Sequence, residues 1–345
     1  KSKRLIKHIV MKIRNYMMLV CATVALGCLS CANSKKTSAA EGETTEKAVQ
    51  VPAFNADSAY LYVKQQVDFG PRTPNSRAHD LCGDYLAARL ESFGAKVYNQ
   101  RADLTGYDGK TLKARNIIGA FNPDAKRRVL LCAHWDTRPW ADNDPDEANH
   151  HKPILGANDG ASGVGVLLEV ARQLQQQAPA IGVDIIFFDM EDSGTPQFAS
   201  SLGDDSHTWC LGSQYWARAP HVQGYNARFG ILLDMVGGKG ATFLREGYSM
   251  QHAPSVVKKV WKAAAKLGFG NYFIDEDGGY VNDDHGPVNE LARIPCIDII
   301  NCSLTDELSS FGNFWHTLDD NMDVIDRATL QAVGQTVLHV VYNEK

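Results

Sequence analysis

Acidic side chains and histidines recur in this sequence just after apolar runs. His134 and Asp136 follow Leu130-Leu131-Cys132-Ala133, and Asp159 lies in Gly156-Ala157-Asn158-Asp159-Gly160. Asp189, Glu191 and Asp192 follow Ile185-Ile186-Phe187-Phe188, and Asp234 follows Ile231-Leu232-Leu233. Far downstream comes Trp315-His316-Thr317. Imidazole nitrogens and carboxylate oxygens are the donors that a tetrahedral zinc site takes. Carboxylates gathered in a dry cleft push one another's pKa up, and a divalent cation removes that conflict. The spacing therefore predicts a metal centre. Singly, these residues have ordinary readings: an Asp after a strand caps a helix or forms a turn, Asp159 suits an Asn-Asp-Gly turn, and His316 is a loop histidine. The ordered set carries the chemistry.

For these groups to meet, each must sit beyond the carboxyl end of a strand in an open α/β sheet, where such sheets bind ligands. The patterns supply the strands. Short β-rich runs occupy 96–100, 114–121 and 128–133, and continuous apolar runs occupy 183–188, 229–233 and 295–300. Apolar residues at helical spacing mark 59–67, 81–93, 162–176, 256–267 and 328–342, with Gly94 stopping the second. Strands apolar throughout, alternating with helices, require a largely parallel sheet covered on both faces. The expected fold is an α/β three-layer sandwich, a central mixed, mostly parallel sheet with helices on both faces.

The 345 residues carry a net charge of -5, and no basic stripe lies beyond the first residues, which argues against nucleic acid as a partner. A basic segment at 1–14 precedes an apolar run at 17–29 that is too short for a spanning helix, the pattern of a signal peptide. Cys28 and Cys31 each resemble the modified cysteine of a bacterial lipoprotein. The expected organisation is a signal peptide of lipoprotein type at 1–31, a flexible tether at 32–52, and a single catalytic domain at 53–345. The product would be exported and periplasmic, touching membrane only through its lipid. Cys82, Cys132, Cys210, Cys296 and Cys302 are odd in number with no CxxC pair, so no disulfide framework is expected. In the acidic stretch 142–151, His150 and His151 read as a solvated rim, with Trp140 packing the loop down.

From about Phe54 onward, the sequence resembles the M28 zinc aminopeptidases and, within them, the glutaminyl cyclases. The resemblance rests on His134-Trp135-Asp136, on Gly156 to Asp159, on Phe187 to Asp192, on Asp234 after its strand and on His316. All five metal-ligand positions of the dinuclear aminopeptidases are filled, with His134, Asp136 and Asp234 able to support a second ion. Trp315 before His316, the Asp283-Asp284-His285 segment and Asp319-Asp320-Asn321 are similar to the cyclases. Asp192 departs from the animal cyclases, which carry Glu there.

The resemblance implies one zinc on Asp159, Asp192 and His316, and a glutaminyl-peptide cyclotransferase that converts N-terminal glutamine of peptides and proteins to pyroglutamate with release of ammonia. It implies Glu191 as proton shuttle, Asp234 and Asp283 as its hydrogen-bonding partners, and Trp315, Trp209 and His285 around the substrate. A monomer is expected. It also implies a cis peptide bond after Asp159. The alternative is an M28-type dinuclear zinc aminopeptidase.

Overall fold

In the computed structural model, residues 49–200, 203–303, 306 and 309–345 are described. The segments expected to be a signal peptide and most of a tether lie outside them. The sheet grows from alternation. In β2 (Thr111–Phe121), β3 (Arg128–His134) and β4 (Gly182–Phe188), successive side chains feed two separate cores. Ile117, Leu131, Ile185 and Phe187 face one of them, and Ile118, Leu130, Cys132, Ile186 and Phe188 face the other. Only a sheet covered on both sides buries both sets.

Six strands pair in the order β1 (Lys96–Thr105), β2, β4, β3, β5 (Gly230–Asp234), β8 (Cys296–Ile300). β1 and β2 form an antiparallel hairpin, and β2 meets β4 antiparallel. The β4–β3, β3–β5 and β5–β8 pairings are parallel, so the sheet is mixed as expected. The larger core holds α1 (Ala56–Val67), α2 (Arg77–Ser92), α3 (Ala161–Gln176), α6 (Pro254–Lys266) and α8 (Arg327–Asn343). The smaller core takes Trp216 of α4 (Leu211–Arg218) and Val288 of α7 (His285–Glu290). α3 runs against β5 so closely that a Cβ at Gly163 would lie 2.2 Å from the Leu233 carbonyl oxygen.

Three features exceed the sequence reading. β1 continues to Thr105 through polar residues, because an edge strand with alternating exposure needs no apolar run. A separate two-stranded parallel pair, β6 (Phe243–Arg245) and β7 (Phe273–Asp277), forms from segments too short or too acidic to read as strands. α4, α7 and α5 (Gly247–His252) are one or two turns long and give no helical periodicity. The five cysteines are free, as expected. Residues Val49–Lys345 make one compact unit, in which the Gln50 carbonyl accepts from Gln177 and the Pro52 carbonyl from Gln335.

Candidate metal centre and active site

The acids and histidines converge at the carboxyl ends of the parallel strands. His134 closes β3, Asp234 closes β5, and β4 ends where Asp189, Glu191 and Asp192 begin. Met190 takes a left-handed φ of 55° between them. The Asp136 carboxylate secures that turn, accepting the Glu191 N–H at 3.1 Å and the Asp192 N–H at 3.2 Å.

Asp159, Asp192 and His316 bring ligand atoms within 4.8 Å of one another, all from buried residues. His316 Nε2 lies 3.1 Å from Asp192 Oδ1 and 3.5 Å from Asp159 Oδ2. Both Asp192 oxygens and Asp159 Oδ2 are buried without a hydrogen-bond partner. Buried carboxylate oxygens almost always find a donor, so three orphans on two acids beside one imidazole fit a cation site. The electrostatics agree. Burial pushes Asp192 up to about 8 against the pull of Arg138, and burial followed by Asp192's charge raises Asp159. Burial, reinforced by Arg138, takes His316 down to about 3, which leaves a neutral ring with a lone pair to give. The donor set fits zinc.

A second trio, His134, Asp159 and Asp234, is differently built. His134 Nε2 sits 3.0 Å from Asp159 Oδ1 and 3.2 Å from Asp234 Oδ1, bridging the two carboxylates, while Nδ1 lies 3.5 Å from Asp136 Oδ1. Burial alone would neutralise His134. The surrounding carboxylates of Asp136, Asp159 and Asp234 outweigh it and hold the ring's proton well above the usual histidine range.

Glu191 faces the cleft with 8% exposure. Its Oε1 accepts from Cys210 Sγ at 3.4 Å, and Oε2 lies 4.0 Å from His134 Nδ1. Burial raises its pKa well above the carboxylate range; His134 opposes this, while Asp283 and Asp192 add to it. Asp283 and Asp234 line the same cleft, and burial followed by Asp234's charge brings Asp283 to about 6. Trp315 and Trp209 wall it, their rings lying 24° and 4° from the plane of His316 at 3.8 and 6.2 Å.

His285 does not join them. Its fully buried ring stands behind the cleft, Nε2 at 3.2 Å from Glu246 Oε2, in a trio with Asp283 and Asp298. The peptide bond after Asp159 is trans, and no cis bond occurs among the described residues. Gly160 turns the chain instead: at φ 95° it brings the backbone against Asp136, where a Cβ would sit 2.6 Å from the Asp136 carbonyl oxygen. The acidic loop is only partly a rim, because Asp142 is buried against Arg138. His150 bonds the Asp144 carbonyl, and neither it nor His151 joins a metal-capable group among the described residues. Trp140 does pack, edge to face with Tyr107 and Phe198.

Two supporting residues escaped the sequence reading, and a third, Asp320, was noted there only as part of Asp319-Asp320-Asn321. Arg138, buried, forms a two-pronged pair with Asp142 at 2.8 and 2.7 Å, donates to the Asp192 carbonyl at 3.1 Å, and lies 4.5 Å over Trp209. Arg72, also buried, donates to the carbonyls of Leu155 and Gly156. Asp320 accepts the N–H of Asn158 at 2.7 Å and of Asp159 at 3.1 Å, fastening the ligand loop. Their signal is absent locally, since each works on backbone far away in sequence.

An open α/β sheet with a buried His/Asp cluster that fits a cation beyond its parallel strands has the architecture of a metal-dependent enzyme. The chain belongs to peptidase family M28, whose model matches residues 116–341. It is similar to the glutaminyl-peptide cyclotransferase of Bos taurus, 29% identical over 252 residues that cover 64% of this chain and 63% of the bovine protein, so it spans under two thirds of that relative's length. A solved glutaminyl cyclase of Bacteroides thetaiotaomicron, bound to N-acetylhistamine, superposes with a TM-score of 0.83 at 65% identity, covering 86% of this chain and all of that one. A Zn-dependent exopeptidase of Parabacteroides distasonis does so with a TM-score of 0.83 at 58% identity over 86% of this chain and 100% of its own. No helix among the described residues is long and apolar enough to cross a membrane.

Proposed function

We propose that the protein is a glutaminyl-peptide cyclotransferase, acting on peptides and proteins with N-terminal glutamine and carrying one zinc on Asp159, Asp192 and His316. The carrying observation is the contrast between the two trios. One leaves three buried carboxylate oxygens without donors, whereas in the other His134 already bridges the acids. Zinc, when bound, supplies a Lewis acid for the glutamine side-chain carbonyl. The α-amine nitrogen of the same residue attacks that carbonyl carbon, the ring C–N bond forms, and the bond to the departing amide nitrogen breaks. Glu191 takes the amine proton and returns one to the leaving ammonia, a task its raised pKa suits. Asp234 and Asp283 hold the shuttle and the amine by hydrogen bonds. Trp315 and Trp209 exclude water and favour the folded-back conformer that brings amine and carbonyl together.

The second reading, a dinuclear aminopeptidase, is favoured by the proximity of His134, Asp159 and Asp234 within ligand distance of one another. Metal analysis and turnover decide. One zinc per chain, with ammonia released from glutaminyl peptides, upholds the cyclotransferase; two zincs, with leucine released from leucyl peptides, overturn it. The signal peptide at 1–31, the tether at 32–52 and the single catalytic domain at 53–345 complete the proposal, with a monomer anchored in the periplasm by lipid on Cys28 or Cys31. Fractionation and mass measurement of the mature N-terminus test the anchor, and a soluble chain starting well beyond Cys31 removes it.

A further inference from the structure

The cleft at the candidate metal centre encloses only about 60 Å³, room for the reacting end of a peptide and little more. Beside it runs an open groove of about 520 Å³, within the size range of ligand sites. The two are continuous, because Val281, Asn282 and Asp283 line both. Tyr280, the most exposed large apolar side chain among the described residues at 72%, and Leu291, 41% exposed, both stand on this groove. Apolar surface left open next to a catalytic cleft marks a place where a partner binds, since covering it removes apolar area from water.

The polar groups suit a peptide. Arg218 is exposed on one wall, donates to the Gln214 carbonyl at 3.0 Å, and has no carboxylate partner among the described residues. Glu290 on the groove accepts the Tyr248 hydroxyl.

We propose that this groove seats the substrate residues that follow the first. An extended chain leaves the cleft past Asn282, its side chains lie against Tyr280 and Leu291, and Arg218 takes one of its carbonyl or carboxylate oxygens. The inference rests on the cyclotransferase reading for the first residue only.

The test uses zinc-loaded protein and peptides of two lengths. Product peptides, which bear an N-terminal pyroglutamyl ring and one or four further residues, are compared by calorimetry, and glutaminyl peptides of the same lengths by ammonia release. The longer peptide should bind about five- to tenfold tighter, the loss of a few ordinary contacts being worth that much. Tyr280→Ala and Arg218→Ala should each erase most of that advantage while leaving turnover of the dipeptide unchanged. Equal affinity for both lengths, or an advantage intact in both variants, overturns the groove. Failure of the underlying reading looks different: no ammonia from the dipeptide, and leucine released from leucyl peptides. The same length comparison on leucyl peptides then decides the groove.

Discussion

Asp189 and Asp192 lie on one loop, three residues apart in the numbering, and both are buried. Their surroundings differ. Asp189 accepts from His79 at 2.9 and 3.0 Å and from the N–H groups of Arg115 and Met190 at 2.6 and 2.9 Å, while His79 stacks on Trp135. The Asp192 carboxylate accepts nothing. Asp136 and Asp320 follow the first pattern, each gripping two backbone N–H groups. Burial therefore fails to separate a carboxylate that builds the frame from one that awaits a cation. The inventory of donors separates these two, although the carboxylates of Asp284 and Asp298 are also buried without donors.

The comparison breaks most visibly at the ligands. Asp159→Asn and His316→Ala should lose zinc and activity together, as removal of a ligand predicts, and metal analysis of a folded variant that still holds one equivalent would sink the assignment. Glu191→Gln should keep its zinc, yet kcat on a glutaminyl peptide should fall at least about 10²-fold with KM changing far less, since the lost proton transfer belongs to the transition state. Near-normal turnover would remove the shuttle. Asp320→Asn sharpens the contrast from the framing side: zinc affinity should drop about 10- to 100-fold, as for other groups that orient ligands, with the fold intact by circular dichroism.

Asp189→Asn should do the reverse, leaving a buried His79 without its counter-charge at a cost of about 3–5 kcal/mol by denaturant midpoint, while activity per folded molecule stays unchanged. Glu246 gives the smallest effect. Burial raises its pKa, but the His285 ring and the hydroxyl and N–H of Ser249 prevail and bring it to about 2. A carboxyl held below its unfolded value stabilises the fold above pH 4.5, and that contribution, on the order of 2–3 kcal/mol, should fade as pH falls from about 4.5 to about 2. A Glu246→Gln variant with the same acid profile as the parent would show the contribution to be absent.

The strand-end acids and histidines were legible in the sequence because apolar runs announce strands, and chemistry in such sheets collects just past their ends. The long helices were legible for the same reason of periodicity. Trp209 and Trp315 were placed by family likeness, and the cleft has both. What escaped acts at a distance. Arg138 reads as a loop arginine until Asp142 and the Asp192 carbonyl are seen around it, and Asp320 contacts Asn158 across 162 positions. His285 lies buried against Glu246 instead of lining the cleft, because an Asp-Asp-His string says nothing of which way a short helix turns its first ring. The turn at Asp159 needed only a glycine, which the sequence displayed at 160.

The loop between β8 and α8 supplies His316 and, four positions later, the Asp320 clamp on the other ligand's backbone. The centre is therefore a late product of chain assembly. A nascent chain that has emerged only as far as Asp234 holds most of the acids but neither the closing imidazole nor the fastener for Asp159. Completion of the His316 site must wait until nearly the whole chain has folded, and a truncation that removes His316 also takes α8 out of the larger core, so the site and the packing of that core are lost together.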